Sequence, residues 1–209
     1  MSDHAAEREQ AAGKKGYHHG NLRAALIAAT RELLAARGPQ GFTLADAARK
    51  AGVSAAAPYR HFADRDSLML SVAHEGFALF GAQLSEAVEG NCDPQDALAA
   101  MGRAYLAFAR AEPGYYAAMF AFRHGDDTRP DEKHDAAFQL LISTIASVLN
   151  ARHLPDDAAC PLAFQIWSLS HGVATLDTTG HLDDAGMSAE DILVSGAMAL
   201  LAGAGRTQG

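Results

Sequence analysis

An all-α fold is what this sequence predicts, with three small helices in front and a larger helical bundle behind. Three observations carry that reading. Apolar residues recur at three- and four-residue spacing through most of the chain, as one face of a helix requires. No segment alternates apolar and polar residues in the manner of a half-buried strand, and no internal repeat is present. Glycine, proline and Ser/Thr/Asp residues stand where helices of that spacing would start and stop. With 209 residues, 49% of them hydrophobic, the chain can bury one small and one medium core. At 20% charged residues, long disorder is expected only at the ends.

Residues 1–16 are polar, carry Gly13 and Gly16, and read as a mobile arm. From Asn21 to Arg37, Leu22, Leu26, Ile27, Ala29, Leu33 and Leu34 line one helix face; Gly20 or Asn21 can cap its start, and Gly38-Pro39 stops it. Thr43 caps a helix over 44–51 that ends at Gly52. Ser54 caps another over about 55–61, and Asp64 caps a long one running through Leu68, Val72, Phe77, Leu84 and Val88. A helix over 94–111 follows, then a short aromatic helix opened by Pro113. His124 to Asp131 reads as a loop, and helices are expected over 133–151, 157–177 and 188–203.

The stretch Ala158 to Leu176 lacks Asp, Glu, Lys and Arg, but its polar residues make it a buried helix and not a membrane span. The N-terminus shows no apolar leader, and Cys92 and Cys160 stand far apart without metal-ligand spacing. Both features point to a cytoplasmic protein without a disulfide or zinc framework.

Net charge is -8, which taken whole argues against a polyanion binder. Its distribution reverses that. Lys14 to Arg65 holds nine positive and three negative side chains, a net +6, which leaves -14 for the remainder. A basic segment joined to an acidic body is the footprint of a localised grip on phosphates.

Within that segment, Thr43-Leu-Ala-Asp-Ala-Ala-Arg-Lys-Ala-Gly-Val-Ser-Ala-Ala-Ala-Pro-Tyr-Arg-His-Phe62 reads as two short helices joined by Ala51-Gly52-Val53-Ser54. Such a turn sets the helices at a steep angle, so that the second can enter a DNA major groove. Gly52 makes the turn, Val53 plugs the space between the helices, and Ala47 and Ala48 allow close approach. The second helix offers Ala55, Ala56 and Ala57, then Tyr59, Arg60 and His61, whose polar ends can donate to phosphates.

Thr43, Ala51 to Ser54, Tyr59, His61, Phe62, Arg65 and Leu68 match in order and spacing the signature of the tetracycline-repressor (TetR) family, which residues 18–75 resemble. The resemblance implies a homodimer on a palindromic double-stranded DNA operator, usually a repressor released by a ligand. It implies phosphate contacts from Tyr59 and His61, a cap and backbone contact from Thr43, and a phosphate held by Arg65. Arg60 is the candidate for base readout, with Ser54 and Ala55 to Ala57 as close contacts. The chain departs from the family pattern at Arg65, often Lys; at Ala47, often larger; and at Pro58, often Leu. Pro58 removes an N–H about four residues into the recognition helix, which can therefore start in a 3₁₀ turn.

Farther on, Trp167-x-x-x-His171-Gly172 and Pro113 to Phe120 resemble one C-terminal subgroup of these regulators. Trp167 and His171 share a helix face. They are core packing or, with Tyr105, Phe108, Tyr115, Tyr116, Met119, Phe122 and Phe138, the walls of a pocket for a small apolar or aromatic effector. The two readings are compatible, because a pocket in a bundle is a core with a gap. The helix over 188–203 has no charge between Asp191 and Arg206 and is apolar all round. Paired with 157–177, it is expected to form a two-fold, four-helix dimer interface.

The expected organisation is thus an arm (1–16), a helix-turn-helix unit (17–63) and a ligand-binding and dimerising unit (64–209). Tyr17-His18-His19-Gly20 carries a His pair, but neighbours on an arm do not converge on one ion without partners. With Lys14 and Lys15 the arm is expected to follow the DNA backbone, and no metal site is expected. No phosphate loop or nucleophile elbow is present, so neither a cofactor nor catalysis is expected. A helical interaction protein that does not bind DNA is the rival reading, and the +6 segment is what it would not need.

Overall fold

The computed structural model describes residues 22–121 and 132–204. The arm, the His18-His19 pair, the Gly20/Asn21 cap, Phe122, the loop from His124 to Asp131 and Arg206 lie outside the described residues. Among those described, nine α-helices and two 3₁₀ turns occur, with no strand.

Helix α1 (Leu22–Arg37) buries Leu26, Ile27, Leu33 and Leu34, and Gly38 ends it at φ 71°. Helix α2 (Leu44–Lys50) opens on a reciprocal cap. The Asp46 N–H donates to the Thr43 hydroxyl at 3.2 Å, and the Thr43 N–H to the Asp46 carboxylate at 3.0 Å. Gly52 then takes φ 72°, a left-handed conformation that reverses the chain without a Cβ clash. Ala47 and Ala48 are fully buried, as the close approach of the helices demands.

The expected second helix over 55–61 is not an α-helix. Residues 55–57 form turns, and Pro58–Arg60 a 3₁₀ turn. Pro58 has no N–H to return to Ser54, so the segment closes i to i+3 instead. Ala57 N–H donates to Ser54 C=O (2.9 Å), and His61 N–H to Pro58 C=O (2.9 Å). The Ser54 side chain supplies no cap there, because no helix N-terminus follows it.

Helix α3 (Arg65–Glu89) starts at a capping box between Asp64 and Ser67. Helix α4 (Pro94–Ala111) is capped by the Asp93 carboxylate, which accepts from the Gln95 and Asp96 N–H groups. Then come α5 (Pro113–Met119), α6 (Glu132–Ala151), a 3₁₀ turn (Asp156–Ala158) and α7 (Ala159–Thr178). A four-residue helix α8 (His181–Asp184), which sequence reading passed over, follows Gly180 at φ 80°. Helix α9 (Ala189–Ala204) closes the described chain. No helix among the described residues is long and apolar enough to cross a membrane.

One core runs unbroken from Leu26 and Leu34 of α1 through Val72 and Phe77 of α3 to Tyr105, Ala118 and Leu193. A second, including Ile145, Leu149, Ala163 and Leu201, joins α6, α7 and α9. The front helices therefore do not hang free of the bundle. Helix α5 abuts α1 so closely that a Cβ on Gly114 would fall 2.1 Å from the Arg31 carbonyl oxygen. Around that contact the Arg31 guanidinium lies 3.3 Å from the Glu112 carboxylate and 5.3 Å from the centre of the Tyr115 ring.

Candidate functional site: an exposed turn and an apolar cavity

Two places carry chemistry. The first is the turn after α2. Pro58 and Phe62 are buried and anchor it, and between and before them Ser54, Ala55, Ala56, Tyr59, Arg60 and His61 face solvent, with Ala57 half-buried. Tyr59 is 64% exposed, which leaves both its ring and its hydroxyl open to a partner. Thr43 is also exposed, although its hydroxyl is engaged in the cap.

The basic residues of this region differ in how committed they are. Lys50 pairs with Glu32 at 2.6 Å and Arg49 with Asp46 at 3.1 Å. The Lys50 ammonium chiefly holds the Glu32 carboxyl below its ordinary pKa range, and the hydrogen bonds from Thr43, with Arg49 a smaller influence, do the same for Asp46. Arg23 donates to Ser71 and lies over the Phe62 ring. Arg65 donates to the carbonyls of Phe42 and Pro39, pairs with Asp66, and stacks 4.7 Å over Phe42. It therefore clasps the α1–α2 loop to the start of α3 whatever else it meets. Arg60 has no ion pair among the described residues and is exposed.

The second place is a cavity of about 60 Å³ inside the bundle. Phe77, Phe80 and Leu84 come to it from α3, and Met101, Gly102 and Tyr105 from α4. Phe138 and Leu141 of α6, Ile166, Trp167 and Ser170 of α7, and Leu193, Val194 and Met198 of α9 complete most of the lining with Phe120.

Of the side chains expected at a pocket, Tyr105, Phe138 and Trp167 reach this cavity. Phe108 does not; it is buried against Phe80 with ring centres 5.1 Å apart. Tyr115 turns the other way, its hydroxyl donating to Glu75 at 3.2 Å, and Met119 packs against Gly76. On so short a helix, residues 115 and 119 fall on the face toward α1 and α3, which is why they miss the cavity. Phe122 lies outside the described residues.

Tyr116 and His171 sit behind the cavity wall and form a polar cluster with Tyr105. The Tyr116 hydroxyl lies 2.8 Å from His171 Nδ1, and the Tyr105 hydroxyl lies 3.3 Å from each. Burial lowers the pKa of His171 and raises those of Tyr105 and Tyr116, so all three are neutral at pH 7. In the 2.8 Å pair either the Tyr116 hydroxyl donates to a bare Nδ1 or a protonated Nδ1 donates to the Tyr116 oxygen, according to the imidazole tautomer. The wall residues that sequence reading missed, Phe77, Phe80, Leu84 and Phe120 foremost, lie on helical stripes that look like any core face. Periodicity marks them as buried but not as bordering a gap.

A basic, helix-turn-helix front unit on a helical body with an internal cavity defines a class of DNA-binding regulator. Comparisons with known proteins agree. Residues 26–72 match the model of bacterial regulatory proteins of the tetR family, and residues 98–200 that of the tetracyclin repressor-like C-terminal domain. A Rhodococcus protein solved without a known function is 31% identical, covering 91% of this chain and 99% of its own, at a TM-score of 0.76. An uncharacterised HTH-type transcriptional regulator of Mycobacterium tuberculosis is 33% identical over 89 residues, which is 43% of this chain and 39% of that regulator's length. A TetR-family transcriptional regulator from Thermus thermophilus shares the fold at 16% identity, with a TM-score of 0.66 over 84% of this chain and 96% of its own. The chain belongs to the TetR family of bacterial transcriptional regulators.

Proposed function

We propose that this regulator grips a palindromic operator as a homodimer, acts in the cytoplasm as a repressor, and lets go when a small apolar or aromatic molecule enters the bundle. Residues 17–63 serve as the DNA-binding unit and 64–209 as the sensing and dimerising unit; catalysis has no part in it. The observation that carries the reading is the exposed Ser54-to-His61 turn, which presents Tyr59, Arg60 and His61 outward on an otherwise apolar anchor. Tyr59, His61 and Thr43 are read as phosphate contacts, Arg60 as the base reader, and Arg65 as a clasp whose remaining N–H groups face the backbone of the DNA.

Dimerisation is supported by the outer faces of α7 and α9. Phe164 is 51% and Leu176 45% exposed, and Gln165, Ser168, Gly172 and Thr175 share their helix surface. On α9, Ala189, Leu193, Ala197 and Leu201 face inward, while Ser195, Ala199 and Ala202 look out without a charge among them. A charge-free, partly aromatic face of this kind is what a two-fold helical interface covers. Ala199→Asp puts a charge on this outer face without touching the second core, against which the neighbouring Leu200 packs. The expected result is a monomer in sedimentation that keeps its helical circular-dichroism spectrum, melts lower than the dimer, and has lost operator binding.

The direct test is selection of bound sequences from a random DNA pool, followed by titration of the winner at several salt concentrations. A palindrome with half-site centres about 34–36 Å apart and a steep loss of affinity with salt are expected. Failure to enrich any sequence with a dimeric protein would overturn the reading.

A further inference from the structure

We infer that the cavity takes an uncharged, largely apolar molecule that is held by one hydrogen-bond acceptor, to which the Tyr105 hydroxyl donates. The inference rests on the sensing role proposed above only in treating the cavity as a binding site.

The lining chooses the ligand's charge. Six aromatic rings and a set of aliphatic side chains surround the space, and no Asp, Glu, Lys, Arg or His is among the residues bordering it. A carboxylate or ammonium placed there would lose its water and find no counter-charge, a penalty that its chain's burial would have to overcome. A neutral molecule has no such penalty.

The lining also chooses the polar group. Its side-chain polar atoms belong to Tyr105, Trp167 and Ser170. The Ser170 hydroxyl already donates to the Ile166 carbonyl of its own helix at 2.8 Å. The Trp167 indole N–H, which can only donate, is engaged by the Tyr105 hydroxyl oxygen. The Tyr105 proton is the least committed. Its two candidate acceptors, Tyr116 and His171 Nδ1, both stand at 3.3 Å, beyond the usual O–H···O range, whereas Tyr116 and His171 hold each other at 2.8 Å. Turning the Tyr105 hydroxyl toward a ligand leaves that shorter bond intact and strands no buried group. A donor at the edge of an apolar cavity selects for a ketone, ester, ether or alcohol oxygen over a hydrocarbon that lacks one.

Trp167 borders the cavity and is the only tryptophan in the chain, so its emission reports occupancy directly. Full-length protein is titrated with 2-octanone, octanoate and octylammonium, following Trp167 fluorescence with calorimetry in parallel. The ketone is expected to bind, and both ions to bind at least about tenfold more weakly. Tyr105→Phe should weaken the ketone roughly 3- to 10-fold. Should that change disturb the cluster behind the wall, Ala99→Phe fills the cavity from another side and should abolish ketone binding while leaving Tyr105 in place. Octanoate or octylammonium binding as tightly as the ketone overturns the inference. So does absence of binding by all three probes, an unchanged ketone affinity in Tyr105→Phe, or full binding in Ala99→Phe. Operator affinity is measured separately in the same samples. A ketone that binds but leaves the protein–DNA complex intact supports the site and counts against the sensing role.

Discussion

Tyr59 and His61 have the same side chains as Tyr116 and His171, and the two pairs behave in opposite ways. The first pair is two residues apart in sequence, exposed, and points its polar ends at solvent beside a proline-anchored turn. The second pair is 55 residues apart in sequence, brought together by α5 and α7, and bonded at 2.8 Å behind a cavity. A tyrosine hydroxyl and an imidazole are good donors to phosphate in one setting and a closed, neutral pair in the other. What separates them is desolvation. At the surface, water satisfies each group until a partner replaces it; in the interior each must find a protein partner or be paid for in stability. The surface pair is free to serve a partner outside the chain, and the buried pair serves the arrangement of helices around the cavity.

The largest effect is expected where the two regions meet. Gly114→Val should lower stability by about 3 kcal/mol through overpacking against the Arg31 carbonyl, read as a drop in melting temperature. If melting does not change, α5 can slide relative to α1, and the front unit is less firmly tied to the bundle than the shared core indicates. Next is Arg60→Ala, which should weaken operator binding by about 1–3 kcal/mol and relax preference at one position in each half-site, with no change in melting. Equal losses on operator and random DNA would make Arg60 a phosphate contact like its neighbours. Tyr116→Phe should reduce stability by about 1 kcal/mol in urea unfolding, while Tyr59→Phe should leave stability alone. Comparable losses from the two would remove the contrast between exposed and buried pairs.

The smallest effect is the pH dependence of the buried pair. Burial depresses the pKa of His171 below its ordinary 6.5. Below pH 6.5 the unfolded chain binds a proton that the folded one refuses, so stability is present above that value and is lost as pH falls through the folded pKa. With the ring half-buried, the loss should stay under about 1 kcal/mol. His171→Gln should flatten that part of the stability–pH curve; an unchanged slope would show that protonation elsewhere sets it.

Much of this was legible in the chain itself. Thr43, Asp64 and Pro113 announce helix starts by chemistry that acts within one turn, and Gly38 and Gly52 announce stops by a left-handed backbone. The observed α4 follows the expected 94–111 closely for the same reason. Over 55–61 the alanines favour a helix, but Pro58 removes the bond that would propagate it, and of the expected element only the 3₁₀ turn is present. Charge counting is informative about sign but not about availability: Arg23, Arg49, Lys50 and Arg65 are engaged within the protein, and Arg60 has no ion pair among the described residues.

The sequence by itself determined the helices, their caps, the basic front unit and the family, because each depends on interactions a few residues long or on a motif of fixed spacing. Only the tertiary structure decided which aromatic residues border a gap and which fill the core. Phe80 and Phe108 lie in the same cluster, yet one lines the cavity and the other does not. That difference arises from how far apart α3, α4, α6, α7 and α9 are held, a distance set in part by small residues at contacts such as Gly102 against Leu193 and Gly196 against Leu169. Helical periodicity says which face is buried; the separation of the helices says what space is left between the faces.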